Sequence, residues 1–234
     1  YSTDQSLLLL KDLISKYNPT FVFHVMCNND LMQNQSFNAH KMTKPRFELL
    51  NGNLKLLQPT NKNTNIPRLG SGFRILIQYS ALYRLLRPII VDFRLKLGTI
   101  NTVNNLSYIE NNFDYLNKVN WNLFLDLINE MKIVSEKNNA EFILMKHPSL
   151  EEVWPPYRNE IGISELEALK LENKIISITK NNNIFYLPVI EYFNSKQYLG
   201  PFHLLPRDPH ANSKGYELQA NIIGKYILDK IKIN

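Results

Sequence analysis

Three polar segments of this 234-residue sequence have residue types and spacings that could do chemistry. In Asp208-Pro209-His210 a carboxylate stands two residues from an imidazole. At that spacing the acid can accept the Nδ1 proton, fix the tautomer and stabilise the imidazolium, leaving Nε2 as a general base. The same residues also suit an Asp-Pro turn leading into a helix cap at Asn212 or Ser213. Asn28-Asn29-Asp30 closes an apolar run, and the Asn29 amide there can face a developing oxyanion, a role worth about 3 to 4 kcal/mol. The plain alternative is a turn. The third segment runs from His147-Pro148 to Trp154-Pro155-Pro156-Tyr157. Trp154 and Tyr157 offer aromatic faces to a sugar or acyl group, or anchor the loop itself. Of the other histidines, His24 lies within an apolar run and reads as a satisfied core residue, His40 falls in an irregular segment, and His147 and His203 stand near element ends where they can line a pocket.

Several chemistries are excluded. No pair has the His-Glu-x-x-His spacing of a metal site and no glycine-rich phosphate loop occurs, so no metal or cofactor is implied. There is no Gly-x-Ser-x-Gly elbow and no Gly-Asp-Ser. Gly70-Ser71-Gly72 lacks the strand-turn-helix setting that a serine nucleophile needs. A serine hydrolase built on these residues takes its serine from upstream.

The elements that must position these segments follow from hydrophobic spacing. Thr3 can cap a helix whose apolar positions Leu7, Leu10, Ile14 and Tyr17, flanked by Leu9 and Leu13, recur every three or four residues; Pro19 stops it. Phe21 to Cys27 is almost continuously apolar, as in a parallel strand covered on both faces. From Asn120 the pattern predicts a helix through Phe124, Leu127, Ile128, Met131 and Val134, a turn at Asn138-Asn139 and a strand over Phe142 to Met145. Ser164 with Glu167 starts a capping-box helix through Leu166, Leu169 and Ile176. Asn181 to Asn183 close it, Ile184 to Leu187 form a third strand, and a last helix runs from about Ser213 to Ile231. Alternation at this spacing implies right-handed crossovers and a parallel sheet with helices on both faces. Some eighty residues between the first strand and the second helix break the rhythm and read as an insertion over 33–118. It carries a hairpin at Arg46–Leu50, Asn51-Gly52 and Asn53–Leu57, then one or two amphipathic helices over Ile75–Leu97, kinked at Pro88 and packed as a cap.

Composition sets outer limits. With 44% hydrophobic and 21% charged residues the chain is an ordinary globular one, and its length lets it bury roughly 70 to 75% of its extended surface, enough for one domain with an insertion. Charges at Arg84, Arg87, Asp92 and Arg94 break the longest apolar stretch, so no uncharged run of about 18 residues crosses a bilayer. One cysteine, Cys27, forms no internal disulfide. The net charge of +6 is scattered apart from Lys225, Lys230 and Lys232, which reads as a solvated helix face rather than a nucleic-acid surface. The sequence opens at Tyr1 without a leader pattern and reads as a truncated chain.

These segments, in this order, resemble the SGNH (GDSL-type) hydrolase superfamily. Tyr1-Ser2-Thr3-Asp4-Gln5 and its leucine-rich helix resemble the Gly-Tyr-Gly-Thr-Asp-Gln segment of one bacterial branch, with that branch's conserved-block glycine falling just before Tyr1. Asn28-Asn29-Asp30 is similar to the Gly-x-Asn-Asp block, with Cys27 in the glycine's place. Lys44-Pro45-Arg46-Phe47 through Asn51-Gly52-Asn53-Leu54 resembles the same branch. Asp208-Pro209-His210-Ala211-Asn212-Ser213-Lys214-Gly215-Tyr216 resembles the closing Asp-x-His-x-Asn-x-x-Gly-His/Tyr motif, with the acid two residues before the histidine where many members have three. The resemblance covers the whole chain.

It implies one α/β domain over 1–234, a three-layer α/β/α arrangement around a parallel sheet of flavodoxin-type order 2-1-3-4-5. The serine block and first strands lie outside the chain, and the Phe21–Cys27 strand becomes an apolar edge. By resemblance Asp208 is the orienting acid, His210 the base and Asn29 the oxyanion-hole amide, with Asn28, Asp30, Trp154 and Tyr157 around the substrate. The implied activity is an acyl-ester hydrolase, removing acetyl or similar groups from a carbohydrate or other acylated small molecule. An O-acetyltransferase on exopolysaccharide uses the same parts, and a non-catalytic glycan-binding module is the alternative from another class. Related proteins are often exported, which favours an extracytoplasmic or membrane-associated location. Oligomeric state is left open.

Overall fold

The computed structural model describes residues 2–39, 42–59, 116–204 and 210–233. The expected cap helices over 75–97, His40, Gly70-Ser71-Gly72 and Asp208 lie outside the described residues.

Helix α1 (Thr3–Tyr17) starts one residue earlier than expected, because its N-cap is Ser2, whose backbone N–H donates to Gln5 Oε1 at 3.2 Å. It ends at Asn18, in the left-handed region with φ 43°, whose N–H donates to the Ile14 carbonyl just ahead of Pro19. Leu7 and Ile14 are buried as expected, whereas Tyr17 is exposed.

Strand β1 (Phe21–Met26) follows, then a one-turn helix α2 (Asp30–Gln33), two two-residue strands β2 (Asn38–Ala39) and β3 (Met42–Thr43), and the hairpin β4 (Arg46–Leu50) and β5 (Asn53–Leu57). Asn51 (φ 52°) and Gly52 (φ 76°) form its two-residue turn, the backbone that the Asn-Gly pair tolerates. Helix α3 (Trp121–Lys137) is capped by Asn120, whose side chain accepts from the Leu123 N–H at 3.0 Å, and leads through Asn139 (φ 58°) into β6 (Glu141–Lys146).

Strands β1 and β6 pair in parallel, from Phe21 against Glu141 to Met26 against Lys146. The chain is therefore an α/β protein with a small parallel sheet. Alternate β6 side chains enter two apolar clusters. Phe142 and Leu144 pack with Leu7, Met26, Phe124, Leu127 and Ile175, while Ile143 and Met145 pack with Val189, Phe193, Phe202 and Ile222. Each such side chain contributes about 1.5 to 3 kcal/mol on burial. The strand covered on both faces is thus β6. β1, expected to be so, buries His24 and Met26 but exposes Val25, and among the described residues it pairs along one edge only. The hairpin joins the first cluster through Phe47, Leu49 and Leu54.

After β6 come the short helices α4 (Leu150–Val153), α5 (Pro155–Glu160) and α6 (Glu165–Ala168), then α7 (Lys170–Asn181), α8 (Ile190–Ser195) and the long α9 (Ser213–Ile233). The segment from 147 to 157, read as a loop, contains two helical turns. The single helix expected after Ser164 is broken at Leu169 into α6 and α7. The capping box forms, with the Glu167 N–H donating to Ser164 Oγ at 3.2 Å, but Leu166 and Ile176 face solvent and the buried stripe is Ala168, Leu171, Ile175 and Thr179. The expected third strand is reduced to one parallel bridge, Leu144 with Tyr186, held by Leu144 N–H to the Phe185 carbonyl and Leu187 N–H to the Leu144 carbonyl. Pro188, which has no N–H to donate, ends the pairing. No helix among the described residues is long and apolar enough to cross a membrane.

Candidate active site

In open parallel sheets, polar groups gather beyond the carboxyl ends of the strands. At the end of β1 the chain turns at once. The Asp30 N–H donates to the Cys27 carbonyl at 3.1 Å, and Asp30 Oδ2 accepts from the Cys27 N–H at 3.0 Å. Asn29 is the N-cap of α2 and, like Asn28, is half-buried. Asp30 is buried, and its carboxyl braces the turn from inside. Burial raises its pKa to about 6, with the Asp4 charge adding and the Cys27 hydrogen bond and Lys44 opposing.

Behind this turn lies a buried ion pair that brings the hairpin segment to the start of α1. Lys44 Nζ contacts Asp4 Oδ2, and both side chains are almost fully enclosed. Asp4 Oδ1 also accepts from Ser2 Oγ at 2.5 Å and from the Gln5 N–H at 2.8 Å, while Asn34 Oδ1 accepts from the Asp4 N–H.

At the end of β6 the His147 N–H donates to the Met26 carbonyl at 2.8 Å, joining the two strand ends. Lys146 is fully buried beneath it, paired with Glu152 and 4.0 Å from Glu172. Glu152 Oε2 also accepts from the Ser149 N–H at 2.7 Å, which fixes the start of α4. Tyr186 donates its hydroxyl to Glu172 at 2.7 Å. Burial raises the Glu172 pKa against the pull of Lys146, and burial with the Glu172 charge pushes the Tyr186 phenol up strongly.

The third side of the rim is the turn into α9. His203 and Ala211 form an antiparallel bridge, and the Leu204 N–H donates to the His210 carbonyl at 2.9 Å. Asn212 is its anchor. Its Nδ2 donates to the Pro201 carbonyl at 2.8 Å and the His203 carbonyl at 3.1 Å, and its Oδ1 accepts from the Gly215 N–H at 3.0 Å. Gly215 is required by packing, since a Cβ there would lie 2.4 Å from the Phe202 carbonyl oxygen. The Asn-x-x-Gly spacing is thus the geometry of a helix start pressed against a neighbouring backbone.

His147 connects the three sides. Its ring lies 5.8 Å from that of His203 and is stacked with Tyr216 at 6.3 Å, and its Nδ1 is 2.6 Å from Gln219 Nε2. His203 is buried with Nε2 3.0 Å from the Pro148 carbonyl. The Asn28-Asn29-Asp30 turn follows directly from where the His147 N–H meets the Met26 carbonyl, and exposed His210 lies in the turn bridged to His203, whose ring is 5.8 Å from that of His147. Asp208 lies outside the described residues. Trp154 and Tyr157 are half-buried on the α4–α5 junction, where Trp154 caps both helices. Burial and the charges of Glu151 and Glu160 raise the Tyr157 phenol.

Gln219 and the buried Lys146 escaped sequence reasoning. Gln219 carried a weak signal, lying three residues after Tyr216 on the same helix face. Lys146 looked like the polar end of a strand, and nothing local marks Glu152 and Glu172 as its partners. His24 departs from the satisfied core histidine expected: it is buried, but its Nε2 has no hydrogen-bond partner among the described residues. Compared with family models, curated proteins and solved structures, the chain matches none of them.

Proposed function

We propose that this chain is part of an SGNH-type serine esterase that removes acyl groups, acetyl above all, from a carbohydrate or similar ester. The observation that supports the reading is that the His147 backbone meets the end of β1 just before the Asn28-Asn29-Asp30 turn, while its ring lies 5.8 Å from that of His203, which is bridged to the Asn212-anchored turn carrying His210. On this reading the sheet belongs to a three-layer α/β/α domain in which β1, β6 and the Tyr186 bridge are the third to fifth strands of the order 2-1-3-4-5. The serine stands upstream of Tyr1.

On this reading the steps are those of a serine hydrolase. The serine hydroxyl attacks the ester carbonyl while His210 takes its proton, and Asp208 holds the imidazole. The Asn29 amide donates to the oxyanion, and His210 returns the proton to the leaving alcohol. Water then repeats the sequence on the acyl-enzyme, or a sugar hydroxyl does so in a transferase. Asp30 supports the Asn29 turn from within rather than touching substrate, and Trp154 and Tyr157 line the approach. A fluorophosphonate probe tests the reading: the complete gene product should be labelled on one serine and should hydrolyse p-nitrophenyl acetate, whereas residues 1–234 alone should form no acyl-enzyme. An acyl-enzyme trapped on residues 1–234 alone would overturn it.

A further inference from the structure

His147 has its proton position built into its surroundings. Its Nδ1 faces the Nε2 of Gln219 at 2.6 Å. A side-chain amide nitrogen only donates, so Nδ1 is the acceptor and the neutral ring carries its hydrogen on Nε2. The ring is held by Tyr216 on one side and by His203 on another, and His203 is itself tied to the Pro148 carbonyl. His147 is only half-buried, so a ligand can reach it. Burial, with the charges of His203 and Lys146, lowers its pKa to about 4. At neutral pH it is a fixed donor and not a second base.

We infer that His147 is a substrate-holding residue whose Nε2–H donates a hydrogen bond to the alcohol side of the ester, at a sugar oxygen next to the scissile bond, so that the substrate class is an O-acylated sugar. The inference rests on reading this rim as the ester site. The alcohol side is indicated because His210 returns its proton there and because Tyr216, Gln219 and His203, which surround the His147 ring, come from the same C-terminal segment as His210. Asn29 serves the carbonyl side instead. Tyr216, 56% exposed and stacked nearly parallel to the His147 ring at 21°, adds a flat face beside the donor.

The experiment compares two esters in the complete gene product: an O-acetylated xylo-oligosaccharide, which has neighbouring oxygens, and p-nitrophenyl acetate, which has none. His147→Ala should raise KM for the sugar ester roughly tenfold, the loss of about one hydrogen bond, and lower kcat/KM for the aryl ester by a clearly smaller factor. His147→Gln, which keeps a donor, should recover most of the sugar-ester value. Gln219→Glu should move the ring hydrogen to Nδ1, read by nitrogen-15 NMR of the imidazole, and mimic His147→Ala on the sugar ester. Equal losses on both esters would mean a structural role only, and unchanged rates on both, or a wild-type ring protonated on Nδ1, would overturn the inference. A wild-type protein that neither reacts with fluorophosphonate nor hydrolyses either ester would overturn the esterase reading, and this inference with it.

Discussion

The backbone N–H of His147 donates to the carbonyl oxygen of Met26 at 2.8 Å, closing the pairing of β1 and β6 one residue beyond the last strand position. The bond ties the backbone of His147 to the end of β1, just before the Asn28-Asn29-Asp30 turn, and needs no side chain of that turn.

Asn212 and Gly215 should both matter to stability. Asn212→Ala leaves the Pro201 and His203 carbonyls and the Gly215 N–H without their partner, at a cost of about 1 to 3 kcal/mol. Gly215→Ala drives a Cβ against the Phe202 carbonyl and should cost roughly 1 to 3 kcal/mol. Denaturant unfolding checks both, and wild-type stability in Gly215→Ala would contradict the packing argument.

The Lys44–Asp4 pair is enclosed on all sides. Removing one partner leaves an uncompensated buried charge, so Lys44→Met or Asp4→Leu alone should lose about 3 to 5 kcal/mol, while the double variant should recover much of that loss. Additive losses in the double variant would show that the two charges do not depend on each other.

Two buried groups should give stability opposite pH slopes. Burial lowers the His24 pKa from 6.5 to about 4. Between those values the unfolded chain binds more protons, and stability rises with pH over that window by on the order of 3 kcal/mol. The Asp30 pKa is raised from 3.8 to about 6, so the fold keeps a proton the unfolded chain has released and this contribution falls as pH rises between the two values. His24→Leu should flatten the rise and Asp30→Asn should steepen it, as read by urea unfolding across a pH series. The same slope in wild type and His24→Leu would remove His24 as the cause.

In the complete gene product His210→Ala should lower kcat by several powers of ten with the fold unchanged, and Asn29→Ala should lower it roughly a hundred- to a thousandfold. Circular dichroism with steady-state kinetics separates the two effects. A loss under about tenfold in His210→Ala would remove that residue from the mechanism.

Local signals carried much of this fold. The Asn51-Gly52 turn, the Asn120 cap, the Asn139 turn and the Ser164 capping box are short-range devices whose physics lies within a few residues, and each forms as its residues dictate. What escaped was tertiary. The break at Leu169 rotates the buried face of α7 away from Leu166 and Ile176, and Pro188 leaves the Tyr186 segment only a single bridge. In the candidate site the Asn-x-x-Gly ending was legible as a motif, but its reason, the Phe202 carbonyl against Gly215, comes from thirteen residues upstream. The buried charges Lys44 and Lys146 were invisible because a lysine is normally solvated and their carboxylates are brought in by the fold.

Whether this rim serves a serine nucleophile is decided by intact-mass analysis of the complete gene product after fluorophosphonate treatment. One adduct per molecule is expected, on a serine preceding Tyr1 and formed at a greatly reduced rate in His210→Ala. No adduct, or an adduct on a serine within residues 1–234, would rule that nucleophile out.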